Sequence, residues 1–392
     1  MRKSIIVRAV CFMCSAFLVF GVSSCSSDDG GEPHVEPARQ TVLMFFPWST
    51  NLKTAFQRNV DDFSKVLVRR GLKGERVVVC MATSANTASL YELTVNNGKC
   101  VADTLLRYRN RSFTSAASMA SMFQDVKIIA PAEKYGMIVG CHGLSWLPVD
   151  NTPKSRRLKR HYDVTSGLQT RYFGGLTADS EIETAALAEA LSEAGMKMEY
   201  ILFDVCYMSS IEVAYELKDV TRYIIGSPTE VMSYGFPYGK CGEYLLGDVD
   251  YKNVADNFIS YYNLSSSPFA TVAVTDCSQL DALAAIVKQI NNGVGERQVS
   301  LDEVQPMDGY RPTLFFDFAD YIRLKCADAA LLDAFNRQLD LVVPYKGNTA
   351  RYYSTMRGEV SINRYSGLNT SESSQNALYR GYENTAWYKA TH

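Results

Sequence analysis

From about residue 41 to 245, apolar runs of strand length alternate with amphipathic helical stretches. This alternation restricts the fold more than any other feature of the sequence. Thr41–Trp48 is mostly apolar. Leu52, Phe56, Val60, Phe63 and Leu67 then recur every three or four residues, as on one face of a helix, and Gly71 ends that pattern. Arg76–Ala82 reads as a second buried strand, and a helical stretch follows around Ser115–Ile129. Tyr135–Gly140, Tyr200–Phe203 and Tyr223–Ile225 are further strand candidates. Ser180–Glu183 matches a capping box ahead of Leu187 and Leu191, with Gly195 closing that helix, and Ser209–Leu217 reads as another helix. Apolar strands separated by amphipathic helices predict an α/β fold, a mainly parallel sheet flanked by helices on both faces. Residues 246–392 are less regular. Phe269–Thr275 reads as a strand, while Leu280–Ile290 and Phe316–Leu339 read as helical. The expected organisation is a domain over 41–245 and a smaller C-terminal subdomain over 246–392 that completes the fold.

The 392 residues are 47% hydrophobic and 21% charged, with a formal charge of −2, which excludes a mostly disordered chain. A pI near 6.2 excludes nucleic-acid binding through bulk positive charge. The N-terminus has a different character. Arg2, Lys3 and Arg8 precede an apolar run, Ala9–Val22, and then Ser23, Ser24 and Cys25. That order reads as a secretory signal, and the run falls short of the ~20 residues needed to span a bilayer. The terminal Cys25 makes it resemble a bacterial lipoprotein signal. Removal of residues 1–24 and a diacylglycerol on the Cys25 sulfur are expected, with residues 25–40 as a polar tether. The expected location is therefore the outer membrane. The acidic residues just after Cys25 resemble the surface-export signal of some Gram-negative lipoproteins. Seven cysteines follow, an odd number that implies at least one thiol outside any disulfide.

In parallel sheets, ligands bind beyond the carboxyl ends of the strands. Two such ends carry reactive groups: Gly140–Trp146 delivers His142, and Asp204–Met208 delivers Cys206. A cysteine nucleophile needs a thiolate and a nearby acid–base group. Cys206 stands just before a helical stretch, whose N-terminus favours the thiolate. Beyond the tether the other histidines are His161, in a basic stretch, and the terminal His392, so His142 is the well-placed partner. No glycine-rich phosphate loop and no H-E-x-x-H spacing occurs, which argues against nucleotide chemistry and a metallohydrolase.

His142-Gly143-x-x-Trp146 resembles the H-G-x-G-W segment of the clostripain-like cysteine peptidases. Phe203–Leu217 resembles their F-D-A-C-L-M-x-x-x-E-V-A-Y-E-L segment. Thr41–Leu67, Thr229–Tyr238, Phe316–Ala319 and Trp387–Lys389 fit as well. The resemblance implies a caspase-like fold and a cysteine endopeptidase acting on proteins or peptides. Cys206 would be the nucleophile and His142 the general acid–base, with an oxyanion hole from the backbone N–H groups of Gly143 and Cys206. It implies no metal in the chemistry. Calcium binding by some members is known only through the family, and Asn51-Leu52 is read as a helix-start feature. Specificity for Arg or Lys in that family rests on acids. Asp204 keeps one of them, whereas Tyr234 stands where the second is expected, with Glu230 as a candidate substitute. Ser145 replaces the second glycine of the H-G-x-G-W segment. Arg156, Arg157, Lys159 and Arg160 are candidate sites for self-processing. The competing expectation is a surface binding lipoprotein on the same fold with weak or lost catalysis.

Overall fold

The computed structural model describes residues 36–49, 51–148, 182–293, 298–372 and 381–392. Among them, nine strands form one sheet: β1 (Ala38–Phe46), β2 (Glu75–Ser84), β3 (Thr87–Asn96), β4 (Lys99–Arg109), β5 (Ala132–Val139), β6 (Met198–Phe203), β7 (Thr221–Gly226), β8 (Thr271–Asp276) and β9 (Tyr345–Asn348). Their order is β9-β8-β7-β6-β5-β1-β2-β3-β4. The central strands, β7-β6-β5-β1-β2, run parallel. Both flanks are antiparallel. This is the α/β architecture with a mainly parallel core that the strand and helix alternation predicts.

The helices that cover the sheet are α1 (Lys53–Arg70), α2 (Ala116–Ile129), α3 (Thr184–Glu193), α4 (Ile211–Leu217), α5 (Tyr251–Asn263), α6 (Leu280–Asn291) and α7 (Ala329–Val342). Successive strand residues point to opposite faces. Leu43 and Phe45 therefore pack with Phe123 and Val126 of α2 and with Leu187 and Leu191 of α3. Val42, Met44 and Phe46 pack with Phe56, Val60, Phe63 and Leu67 of α1 on the other face. Each large side chain buried this way contributes roughly 1.5–3 kcal/mol, which explains strands without polar alternation. Residues beyond 246 complete the same sheet. They supply β8 and β9, lay α5 on the α1 face, and lay α6 and α7 on the other.

Two local expectations are corrected. Helix α3 starts at Thr184 with Glu183 at its N-cap and no side-chain cap bond, so the Ser180–Glu183 capping box does not open it; Ser180 itself lies outside the described residues. The expected helix over 316–339 is interrupted near Asp328, whose carboxylate accepts the Ala330 and Leu331 N–H groups and starts α7 afresh. The β3–β4 hairpin was not foreseen. Its turn uses Asn97 and Gly98 in the left-handed region (φ 50° and 72°), but β4 is largely exposed and lacks an apolar run. No disulfide joins the described cysteines.

The topology fixes where a site can form. The chain leaves β1 for β2 on one side, then returns through α2 to β5 on the other, so the β1–β5 boundary is the switch point where a crevice opens. The register pairs Phe45 with Val139 and Val139 with Phe203. Carried three residues further, it sets His142 level with Cys206 on neighbouring strand ends.

Candidate active site

The loop after β5 is pressed against the loop after β6. A Cβ added at Gly143 would lie 2.1 Å from Val205 Cγ1 and 2.8 Å from the Cys206 carbonyl oxygen. Only a residue without a side chain permits that approach, and it brings the residue after His142 into contact with the Cys206 backbone. The Gly143 N–H has no hydrogen-bond partner among the described residues. Trp146 anchors the far end of the loop, donating from Nε1 to Ser371 Oγ at 2.9 Å and packing on Tyr382. Between them Ser145 adopts φ 58°. The family's glycine at this position is thereby explained. Serine keeps the conformation at a cost of roughly 1 kcal/mol, and its Oγ is buried without a hydrogen-bond partner among the described residues.

His142 is 6% exposed, and its Nε2 lies 2.7 Å from Asn51 Oδ1. Asn51 follows β1, so the two strands flanking the switch point supply this contact. Asn51-Leu52 stands at the start of α1, as expected: Leu52 is the N-cap, with no side-chain cap bond, and Asn51 directly precedes it.

Cys206 is fully buried, and the Val231 N–H points at its Sγ from 3.2 Å. Helix α4 begins only at Ile211, so the expected stabilisation of the thiolate in a helix's first turn is corrected to donation by this amide. The turn between them is made by Tyr207 at φ 62°, a left-handed conformation costly for an aromatic residue. Its N–H donates to Thr229 O, its ring packs on Phe315, and its hydroxyl donates to Glu230 Oε1 at 3.0 Å. Glu230 also accepts from the N–H and Oγ1 of Thr355. It is 3% exposed, and these bonds tie its carboxylate to the turn after Cys206. Glu212 acts similarly for the chain end, accepting from Thr370 Oγ1, the Ser371 N–H and the Tyr382 hydroxyl.

Under Cys206, Met307, Tyr310, Leu314 and Phe315 complete an apolar floor. Asp308 organises it by accepting the N–H groups of Tyr310, Leu314 and Phe315. Burial nevertheless pushes its carboxyl up from 3.8 to about 7. The folded state thus holds this proton more tightly than the unfolded chain, so stability falls as pH rises from about 4 to about 7. Asp308→Asn is expected to flatten that slope, giving a smaller gain in urea midpoint than wild type between pH 7.5 and pH 5.

The acids of the expected specificity site separate. Asp204 is fully buried and accepts from the Phe236 N–H at 3.1 Å and the Tyr238 hydroxyl at 3.0 Å, on the α1 face of the sheet. Tyr234 does not leave its position without charge nearby, because its hydroxyl donates to Asp62 Oδ2 at 2.8 Å. Desolvation and this bond raise its phenol above the usual range. Asp62 also pairs with Lys65, and Asn59 donates to the Tyr234 carbonyl oxygen, so α1 braces the whole loop. Nothing in the sequence pattern marked Asp62, which sits among other charged residues of α1. On the opposite face a cavity of about 70 Å³ lies beside His142, lined by Phe45, Cys141, Leu187, Phe203 and Met208. Among the described residues no group of three or more His, Cys, Asp or Glu is placed to hold a metal ion. Cys25, Arg156, Arg157, Lys159 and Arg160 lie outside the described residues.

Of the remaining thiols, burial pushes Cys80 and Cys277 up to about 12 and Cys241 higher still, which makes them poor nucleophiles at neutral pH.

A search of proteins of curated function returned no match. Among solved structures, a secreted C11 cysteine protease from Bacteroides thetaiotaomicron, "iotapain", is 46% identical with a TM-score of 0.83, over 91% of this chain and 99% of that one. A C11 protease of Parabacteroides distasonis, described as an inactive zymogen, is 26% identical with a TM-score of 0.75, over 91% and 99%. A clostripain from Bacteroides thetaiotaomicron in complex with the peptide inhibitor BTN-VLTK-AOMK is 52% identical with a TM-score of 0.55, over 56% of this chain and 99% of that one. The sequence profile described as the clostripain family matches residues 61–390. The chain therefore belongs to the clostripain family and is a cysteine-type peptidase.

Proposed function

We propose that the chain is an exported endopeptidase in which Cys206 and His142 form the catalytic dyad and cleavage follows Arg or Lys. The observation that carries this reading is the seating of Gly143 on the Cys206 backbone, which binds the two reactive strand ends into one site. The imidazole takes the thiol proton, and Sγ attacks the scissile carbonyl carbon. The oxyanion is held by the N–H groups of Gly143 and Cys206. The carbon–nitrogen bond then breaks as the imidazolium gives its proton to the departing amine, leaving a thioester. Water attacks that thioester, with His142 accepting its proton, and release of the acid restores the thiol.

Two observations support a basic residue before the cut. Asp204 and the Tyr234–Asp62 pair concentrate acidity on one side of the site. In addition, the 52% identical clostripain binds an inhibitor whose VLTK stretch ends in lysine. Cys206 is sealed from solvent, and a relative is described as an inactive zymogen. We read the chain as a latent form that matures by cutting at Arg156, Arg157, Lys159 or Arg160. Its N-terminal sequence supports lipid attachment at Cys25 and an outer-membrane location, and a relative is described as secreted.

A positional-scanning library of quenched peptides tests the specificity. Cleavage concentrated after Lys and Arg, by at least about tenfold over other residues, is the expected result. Equal or better cleavage after uncharged residues overturns the assignment of Asp204 and the Asp62–Tyr234 pair to substrate selection.

A further inference from the structure

We propose that Asn51 is the positioning residue for His142, fixing both the orientation and the tautomer of the imidazole. The inference rests on the dyad reading above. An amide oxygen only accepts hydrogen bonds, so at 2.7 Å from Asn51 Oδ1 the ring nitrogen Nε2 carries the hydrogen and donates it. A neutral imidazole with its hydrogen on Nε2 has its basic lone pair on Nδ1. The proton taken from the Cys206 thiol, and later given to the departing amine, therefore travels through Nδ1, while the Nε2–H bond to Asn51 persists in both charge states.

The backbone explains why Asn51 can do this. It follows β1, and His142 follows β5, the strand paired with β1 in register from Ala38 to Phe45. Gly140 lets Phe46 and Phe56 pack directly against the start of the His142 loop, where a Cβ would lie 2.6 Å from the Phe46 ring. Both ends of the Asn51–His142 contact are thus held by the same aromatic packing. Asn51 is not needed to start α1, since Leu52 occupies the N-cap and no side chain caps it.

A neutral acceptor also has a chemical consequence. It orients the imidazolium without locking it as strongly as a carboxylate would, so the proton still passes readily to the leaving amine. This gives the substitutions distinct signatures. Asn51→Ala is expected to lower kcat about 10–100-fold with KM within about twofold. Its melting temperature should be unchanged, and the alkaline limb of its kcat/KM profile should move down. Asn51→Asp restores much of kcat and raises that alkaline limb by roughly one pH unit, because the carboxylate favours the charged imidazole. His142→Ala is measured alongside. If His142→Ala is inactive while Asn51→Ala keeps wild-type kcat and an unmoved pH profile, the positioning role is overturned and the dyad stands. A change confined to KM, or a lowered melting temperature with an unmoved profile, overturns it too. An active His142→Ala variant overturns the dyad reading together with this one.

Discussion

Cys206→Ala is expected to abolish peptide hydrolysis, with kcat/KM at least about 1000-fold below wild type, and to leave the fold intact. The magnitude follows from chemistry: without Sγ no thioester forms, and what survives is the oxyanion and binding contribution alone. The intact fold follows from packing. Cys206 sits among Tyr207, Val231, Met307 and Phe315, and alanine removes one buried atom and the Val231 N–H contact. That loss costs on the order of 1 kcal/mol, a shift of a few degrees in melting temperature at most for a chain of this length. The heavily buried Cys80, Cys241 and Cys277 cannot take over at neutral pH. A peptide carrying a thiol-reactive group in place of the scissile amide should label wild type once and the variant not at all. Wild-type turnover by Cys206→Ala removes Cys206 from the mechanism.

Much of this site could be read from the sequence because its parts are short and local. A buried parallel strand has no polar alternation, so its end is easy to find, and His142 and Cys206 each stand three residues past the last paired position of theirs. Hairpin β3–β4 escaped the same criterion because one of its strands faces solvent, although Asn97-Gly98 is a strong turn signal. Contacts between distant segments were not legible. Glu230 reads as a spare acid near a specificity loop, yet its partners, Tyr207 and Thr355, come from before and far after it in the chain. Asp62 looks like one more charge on α1 until Tyr234 is seen to donate to it. Asn51 shows the limit best. Before a helix, asparagine has a common local use as a cap, and only the β1–β5 pairing reveals that its amide meets His142 instead.

Gly143→Ala should disable the enzyme almost as thoroughly while leaving Cys206 and His142 in place. The new methyl group would start 2.1 Å from Val205 Cγ1 and 2.8 Å from the Cys206 carbonyl oxygen. The Val205 side chain packs in the core with Phe203 and Ile211 and borders the cavity beside His142, so it gives way in part, but the carbonyl belongs to the backbone of the Cys206 turn. Tyr207 holds that turn from the other side through Thr229, Phe315 and Glu230, so it cannot retreat. The loop carrying His142 must therefore lift, which widens the distance between imidazole and thiol and withdraws the Gly143 N–H from the oxyanion. A displacement near 1 Å costs on the order of 100-fold in rate, and the lost donor about as much again. Overpacking destabilises the fold by only about 1–3 kcal/mol, so protein that is folded by circular dichroism yet slower by a factor of about 1000 or more is the expected result. Adding Val205→Ala removes the nearer clash but not the carbonyl, so activity should return in part. Full activity in Gly143→Ala alone would mean that the His142 loop does not rest on Cys206 in the working enzyme.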